Sequence, residues 1–424
     1  MGLTREKEIE VLLDAGSAGR DLMSHIDSRC PDVWVLIPKR AGDTTQVLAL
    51  AEALDWPFEV KTFARRKGGL LLAPPFMASL AGIRRSGSSE LKGPWPDLVI
   101  TAGAENEPIA RWIRMQSGGR TRIVIVGRAW ADASDYDLVV TTPQYRMPRL
   151  PNVLHNGLPL HRVTTDRLKR DAALWAPRLA NLPRPFITVL VGGTSGPYPF
   201  TVESGERLAR QASALAKRLG GSLLITTSSR TPKAAVDAMA AAIDVPHVLH
   251  SWRQNDPENP YFAFLELGDE IIVTADSVSM MGEACATVKP VHLFDLGEDW
   301  TSMRVSLGLA GEPPRERVPV GRALREVGKS AVLFRWAMRN LPSWITRDLR
   351  LAHRELIASG RADWLDDPRP LRPAATEDVA YAVATVHELQ RTGRIWLNPV
   401  RPAAKPVVPS TRPIVIDEGL GLAA

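Results

Sequence analysis

From Asp32 onward, short runs of apolar residues recur along the chain, each followed by a loop of small or polar residues and then a helical stretch. Val33-Trp34-Val35-Leu36-Ile37 leads into Pro38-Lys39-Arg40-Ala41-Gly42-Asp43 and the helical TQVLALAEALD. Asp97-Leu98-Val99-Ile100 leads into TAGAENEP and IARWIRMQ, which stops at Gly118-Gly119, and residues 122–126 and 138–140 supply further apolar runs. Runs that are apolar throughout, rather than at alternate positions, predict strands covered on both faces. Their alternation with helices predicts a parallel sheet. After a charged helix at 165–181 and the turn-rich Leu182-Pro183-Arg184-Pro185, the rhythm restarts at 187–191 and continues through 223–226, 248–249, 271–273 and 291–294. Beyond residue 300 strands are expected to cease, and helical patterns occupy 319–340, 344–359 and 377–392.

The pattern predicts an α/β fold of two doubly wound, Rossmann-like domains with a helical C-terminal segment. The expected divisions are a lead-in at 1–31, a first domain at 32–182, a second at 183–310, a helical region at 311–398 and a proline-rich, disordered tail at 399–424.

Composition changes this picture little. The chain has 424 residues, 45% of them hydrophobic and 24% charged, as in an ordinary globular protein of more than one domain. No apolar stretch approaches the ~18 residues that a membrane-spanning helix needs, and the first twenty residues lack the apolar core of a secretory signal. The expected location is the cytoplasm. Cys30 and Cys285, 255 positions apart, exclude a disulfide framework and a zinc cluster. The net charge of +6 is too dilute over this length to imply nucleic-acid binding. Arg outnumbers Lys 42 to 11; codon bias accounts for such a skew, and so does the fit of guanidinium forks to phosphates.

Ligands of open parallel sheets bind beyond the carboxyl ends of the strands, where helix N-termini point. In the loop 38–46, Gly42 permits a tight turn and Asp43 stands where a helix begins. Asp43 is then either an N-cap or a carboxylate at the interdomain cleft able to act as general base. Glu105 and Glu107, in the loop after Ile100, are the next candidates for the base. Gly192-Gly193-Thr194-Ser195-Gly196 precedes a helix and is either a structural turn or a cradle of N–H groups for an anion. Pro197 removes a G-x-S-x-G nucleophile elbow, and the Walker and G-x-G-x-x-G patterns are missing. In the loop 226–232, hydroxyls beside Arg230 suit a phosphate oxygen or a capping turn. In 274–284, Glu283 is either a first-turn acid or an acceptor of two hydrogen bonds from a ribose diol.

Other patterns narrow the classes. No Tyr is followed four positions later by Lys, which removes a short-chain dehydrogenase or epimerase site. Asp135-Tyr136-Asp137 has a D-x-D form but runs directly into an apolar strand and reads as a turn. The eight His lack the paired spacing of a metal site. The segment 61–92 carries Lys61, Arg65, Arg66, Lys67, Arg84, Arg85 and Lys92 against one acid, Glu90, with Leu70, Leu71, Leu72, Phe76, Met77 and Leu80 between them. It is either a core helix with a solvated rim or a peripheral contact with an anionic membrane.

Several segments taken together resemble a known family. They are Gly42-Asp43-Thr44-Thr45-Gln46, Pro96-Asp97-Leu98-Val99-Ile100, Ala110-Arg111-Trp112-Ile113-Arg114, Val191-Gly192-Gly193, the run Thr227 to Pro232, Asn259-Pro260-Tyr261 and Thr274-Ala275-Asp276-Ser277-Val278-Ser279-Met280. The likeness, over roughly 32–310, is to the mitochondrial-fission "elongated mitochondria" family, whose bacterial members are labelled glycosyltransferases by their fold. The glycine loop opening the second domain and the S-x-S-x-x-x-E of Ser277, Ser279 and Glu283 are similar to those of GT-B glycosyltransferases.

The resemblance implies two domains of GT-B type, with a nucleotide sugar on the second and the acceptor on the first. Gly192, Gly193 and Ser195 would face the diphosphate, Arg230 would neutralise it and Glu283 would hold the ribose. Thr194, Ser277 and Ser279 complete the implied donor side, and Lys39, Gly42 and Asn106 the acceptor side. The loop reads A-G-D where lipid-linked N-acetylglucosaminyltransferases have G-G-x-G-G-H, which moves the expected base to Asp43. The implied partners are a nucleoside-diphosphate sugar, a uridine one first, and a cell-envelope glycolipid or oligosaccharide. No metal or other cofactor is expected. The competing expectations are a non-catalytic scaffold of the same shape and a nucleotide-sugar hydrolase or epimerase.

Overall fold

A computed structural model describes residues 30–305, 318–342 and 345–393. The expected tail and nearly all of the lead-in lie outside these residues. The first sheet contains β1 (Val33–Leu36) and β2 (Phe58–Lys61). After a small antiparallel pair, β3 (Ala64–Arg65) and β4 (Ile83–Arg84), come β5 (Leu98–Thr101), β6 (Arg122–Val126), β7 (Leu138–Thr141) and β8 (Val153–His155). The second contains β9 (Phe186–Leu190), β10 (Ser222–Thr226), β11 (His247–His250), β12 (Glu270–Thr274), β13 (Val291–Phe294) and β14 (Asp363–Trp364). Every pairing within the two sheets is parallel.

The spatial orders are β2-β1-β5-β6-β7-β8 and β11-β10-β9-β12-β13-β14. The second is the Rossmann order, 3-2-1-4-5-6 when counted within the domain. Every residue of β1, β5, β7, β9 and β10 is buried, which is why these strands are apolar at nearly every position. The expected pair of doubly wound domains is therefore the observed architecture. The direction of winding reverses between β1 and β5 and between β9 and β12, and the loops after those four strands frame a crevice on each domain.

Three expectations about layout need correction. β14 pairs with β13, so strands do not cease at residue 300; two residues are too few to show any period. The expected C-terminal helices are present at Val320–Asn340, Arg350–Ala358 and Asp378–Thr392, yet they are divided between the domains. Leu349, Ala352 and Leu356 join the second core, while Ala382, Val386 and Leu389 of the last helix return to pack with Val47 and Leu50 in the first. The helix Thr165–Leu179 also packs on the second domain, with Trp175 edge-on to Phe264 at 5.4 Å, so the domain boundary precedes it.

Candidate functional site in the interdomain cleft

The first-domain wall is the loop after β1 and the helix Ala41–Ala53 that follows it. Arg40 is the N-cap residue and Asp43 lies in the first turn, so Asp43 is not the cap that its position suggested. Its half-buried carboxyl is pushed up from the ordinary aspartate range by burial, a shift that the positive charges of Arg40 and Arg347 partly oppose. Gly42 faces the second domain closely: a Cβ there would lie 3.1 Å from Ser279 Oγ. The helix Val278–Cys285 begins at this contact, with Ser277 as its buried N-cap. Two helix N-termini thus meet across the cleft, each favouring negative charge.

The loop after β5 behaves differently. Glu107 opens the helix Glu107–Gln116 with 0% exposure. Its carboxylate accepts from the N–H groups of Trp130 and Ala131, both at 2.9 Å, and from the Tyr136 hydroxyl at 2.7 Å. This corrects the expectation of a general base, because those donors hold Glu107 inside the domain. Asn106 is likewise internal: its amide donates to the Leu36 carbonyl at 3.1 Å and to Thr101 Oγ1 at 2.9 Å, tying the ends of β1 and β5 together. It does not line the acceptor side. Glu105 pairs with Arg65 at 3.6 Å and lines a shallow depression with Leu70, Ile83 and Pro108. Lys39 is exposed at the rim of the cleft.

On the second-domain wall, the glycine loop is not the open cradle expected. Gly192 N–H donates to Thr274 Oγ1 at 2.7 Å and Gly193 N–H to Asp276 Oδ2 at 3.0 Å. The Ser228 and Thr231 hydroxyls both donate to the Gly192 carbonyl at 2.5 Å, so they are not aimed at a phosphate. The glycines are required by space: a Cβ on Gly192 would come within 2.5 Å of Asp276, and one on Gly193 would overlap the Arg230 carbonyl. Arg230 itself pairs with the buried Asp276 at 3.0 Å while remaining partly exposed. Thr194 Oγ1 accepts from Phe200 N–H at 3.0 Å.

Glu283 is buried and accepts from the Tyr261 hydroxyl; burial drives its carboxyl up to about 7, against the opposing effects of that hydrogen bond and of Arg167 and Arg162. A carboxylate accepts readily from vicinal hydroxyls, and the raised value places its ionisation near neutral pH.

Sequence reasoning missed the residues that join the walls. Arg347, between the helices of the C-terminal region, donates to Ser195 Oγ at 2.9 Å and lies against the Tyr145 hydroxyl and Asp43. Arg128 is 6% exposed and stacks between Trp130 and Tyr145, with its guanidinium carbon 5.0 and 5.4 Å from the ring centres. Burial brings its guanidinium down to about 10, and Arg347, Arg40 and Arg146 push in the same direction. The surplus of arginine was the only signal that could have pointed to these residues.

Away from the cleft, Asp135 and Asp137 are held by Arg111 and Arg114 in the turn before β7, as the sequence indicated. The apolar part of 61–92 is no core helix. It forms a one-turn helix, Gly69–Leu72, and a following bend that leave Leu71 89% and Phe76 68% exposed, with Leu72 and Met77 beside them. Arg66, Lys67, Arg84 and Arg85 are exposed in the same excursion. No helix among the described residues is long and apolar enough to cross a membrane.

Comparison with known proteins places this geometry in a family. The mitochondrial fission protein ELM1 of Arabidopsis thaliana is 27% identical over 265 residues, which cover 56% of this chain and 60% of that protein. An uncharacterized protein of Rickettsia prowazekii is 20% identical over 301 residues, or 62% of this chain and 83% of that one. The chain thus spans well under two thirds of the length of the Arabidopsis relative. Among solved structures, ADP-heptose LPS heptosyltransferase II of E. coli is similar at 14% identity and a TM-score of 0.36, over 62% of this chain and 84% of that one. UDP-GlcNAc 2-epimerase from Neisseria meningitidis is similar at 12% identity and a TM-score of 0.39, over 84% of this chain and 100% of that one. Residues 41–310 match the family described as Mitochondrial fission ELM1, and the chain belongs to that family.

Proposed function

We propose that the protein transfers a sugar from a nucleoside diphosphate sugar, a uridine one first, to a hydroxyl of a cell-envelope glycolipid or oligosaccharide. The observation that carries this reading is the position of Asp43. Its carboxyl, raised by burial, sits at the start of a helix in the cleft and beside Arg347, which reaches Ser195 of the opposite domain. A carboxylate with raised proton affinity is suited to take the acceptor's hydroxyl proton. The acceptor oxygen then bonds to the anomeric carbon as the bond from that carbon to the diphosphate breaks. The exposed part of Arg230 supplies positive charge for the leaving diphosphate, so transfer should proceed in the presence of a metal chelator. Glu283 would accept from the ribose hydroxyls.

The test is Asp43→Asn. Donor affinity by calorimetry should stay within twofold of wild type while kcat falls by roughly 10²-fold or more, the usual worth of a positioned general base. Near-normal turnover with a stability loss of about 1 kcal/mol would reduce Asp43 to a first-turn acid of its helix.

A second reading has its own support. The hydrogen bonds that occupy the Gly192 and Gly193 N–H groups suit a protein that keeps the shape without turnover, a scaffold within a family named for mitochondrial fission. Donor binding without turnover across a broad acceptor panel would favour it, and donor cleavage without any acceptor would favour a hydrolase.

The working location in this reading is the cytoplasmic face of a membrane. Exposed Leu71 and Phe76 at the tip of a basic excursion suit insertion among anionic lipids, where apolar burial and charge attraction add. Wild type should pellet with phosphatidylglycerol vesicles and not with neutral ones. Leu71→Ser with Phe76→Ser should lose most of that binding, and equal pelleting of both proteins would remove the idea.

A further inference from the structure

We propose that Arg128, Arg40 and Arg347, with Arg146 behind them, form a second anion site on the first-domain wall of the cleft, and that it takes a phosphoryl group borne by the acceptor. The word acceptor rests on the transfer reading above; the anion site does not.

The argument starts from Arg128. A guanidinium removed from water needs its donors satisfied and its charge offset. Arg128 reaches the Thr346 carbonyl, but its Nε is buried without a hydrogen-bond partner. The charged side chains that act on it, Arg347, Arg40 and Arg146, are cations, which is the opposite of what a structural guanidinium requires. The nearby Asp348 is already spent: Arg350 donates to both of its oxygens at 2.8 Å, and Arg146 donates to it at 2.6 Å. Arg40 and Arg347 both act on Asp43, one acid against two guanidinium groups.

The N-terminus of the thirteen-residue helix Ala41–Ala53 adds its positive end at Arg40. Trp130 and Tyr145 hold the Arg128 fork in a fixed plane, which suits bidentate capture of phosphoryl oxygens. Three of the four arginines belong to the first domain and stand on the Asp43 side of the cleft. A ligand's phosphoryl group bound there places the rest of that ligand beside the proposed base. The donor's ribose site at Glu283 belongs to the other domain.

The experiment is calorimetric titration of the full chain with inorganic phosphate, and separately with UDP, at matched ionic strength in chloride. Wild type should bind phosphate with UDP already present. Arg128→Met should weaken phosphate at least tenfold and leave UDP affinity within twofold. Its melting temperature without phosphate should not fall, because a buried like charge has gone. Arg40 is exposed, so Arg40→Ala tests the same site without touching the core and should weaken phosphate several-fold. The proposal is overturned if wild type gains nothing from phosphate over chloride, or if UDP displaces the phosphate. Equal loss of UDP and phosphate binding in Arg128→Met would also overturn it, since the arginines would then serve the donor's diphosphate. None of these readouts involves turnover, so an inactive Asp43→Asn and a missing phosphate site are separate results.

Discussion

The crevices of the two sheets occupy equivalent places and are finished in opposite ways. In the loops after β9, β10 and β12, the Gly192 and Gly193 N–H groups donate to Thr274 and Asp276, the Ser228 and Thr231 hydroxyls donate to the Gly192 carbonyl, and Arg230 pairs with Asp276. On the first-domain wall, Arg40 and Arg347 act on Asp43 and also on the buried Arg128, with charge left over. A saturated polar loop contributes shape and stability, whereas an unsaturated charged one is held ready for a ligand. Loop composition does not distinguish the two, because the same Gly, Ser, Thr and Arg serve either purpose.

The sharpest way to break this comparison is to disturb packing on each side. Gly193→Ala forces a methyl onto the Arg230 backbone and should cost about 3 kcal/mol in urea denaturation, the upper range for overpacking. Gly42→Ala meets only the Ser279 hydroxyl across the cleft and should stay within about 1 kcal/mol of wild type. Equal losses would mean that the two walls are equally rigid.

A smaller effect separates stability from binding on the donor side. Because the folded Glu283 carboxyl titrates near 7 rather than at its ordinary 4.5, the native state is penalised once the group must ionise. Its penalty is absent below the unfolded value and grows as pH rises to the folded one. Glu283→Gln should therefore be more stable than wild type at about pH 8, by on the order of 2 kcal/mol, and lose that advantage toward about pH 4. Nucleoside affinity should run the other way, rising in wild type between about pH 6 and pH 8 and staying flat in the variant. A variant that binds UDP as wild type does at every pH would take Glu283 out of the site.

How much was readable beforehand follows from burial. β1, β5, β6 and β9 announced themselves because strands covered on both faces are apolar at nearly every position. The edge strand β2, Phe-Glu-Val-Lys with its two central residues exposed, and the three-residue β8 carry no such run. In the site, Asp43 could be picked out because it follows a legible strand directly. Glu107 follows one just as closely, yet Tyr136 and the backbone of 130–131 draw it inward, and those partners lie 23 to 29 positions away. The exposure of Leu71 and Phe76 was equally unreadable, since an apolar run with basic flanks has one composition whether it is covered or not.

The linear pattern of apolar runs determined by itself that this chain makes two parallel sheets, and with them where the loops after their strands fall. Burial on both faces favours apolar residues at nearly every position of those strands, so the signal is local and strong. Tertiary structure alone decided which loops are spent internally and which remain charged. It brought Arg128, Arg347 and Asp43 to Tyr145 from three separate segments, and it sent the last helix back to the first domain. Hydrogen-bond satisfaction and charge balance are sums over neighbours in space, and most of those neighbours are far apart along the chain.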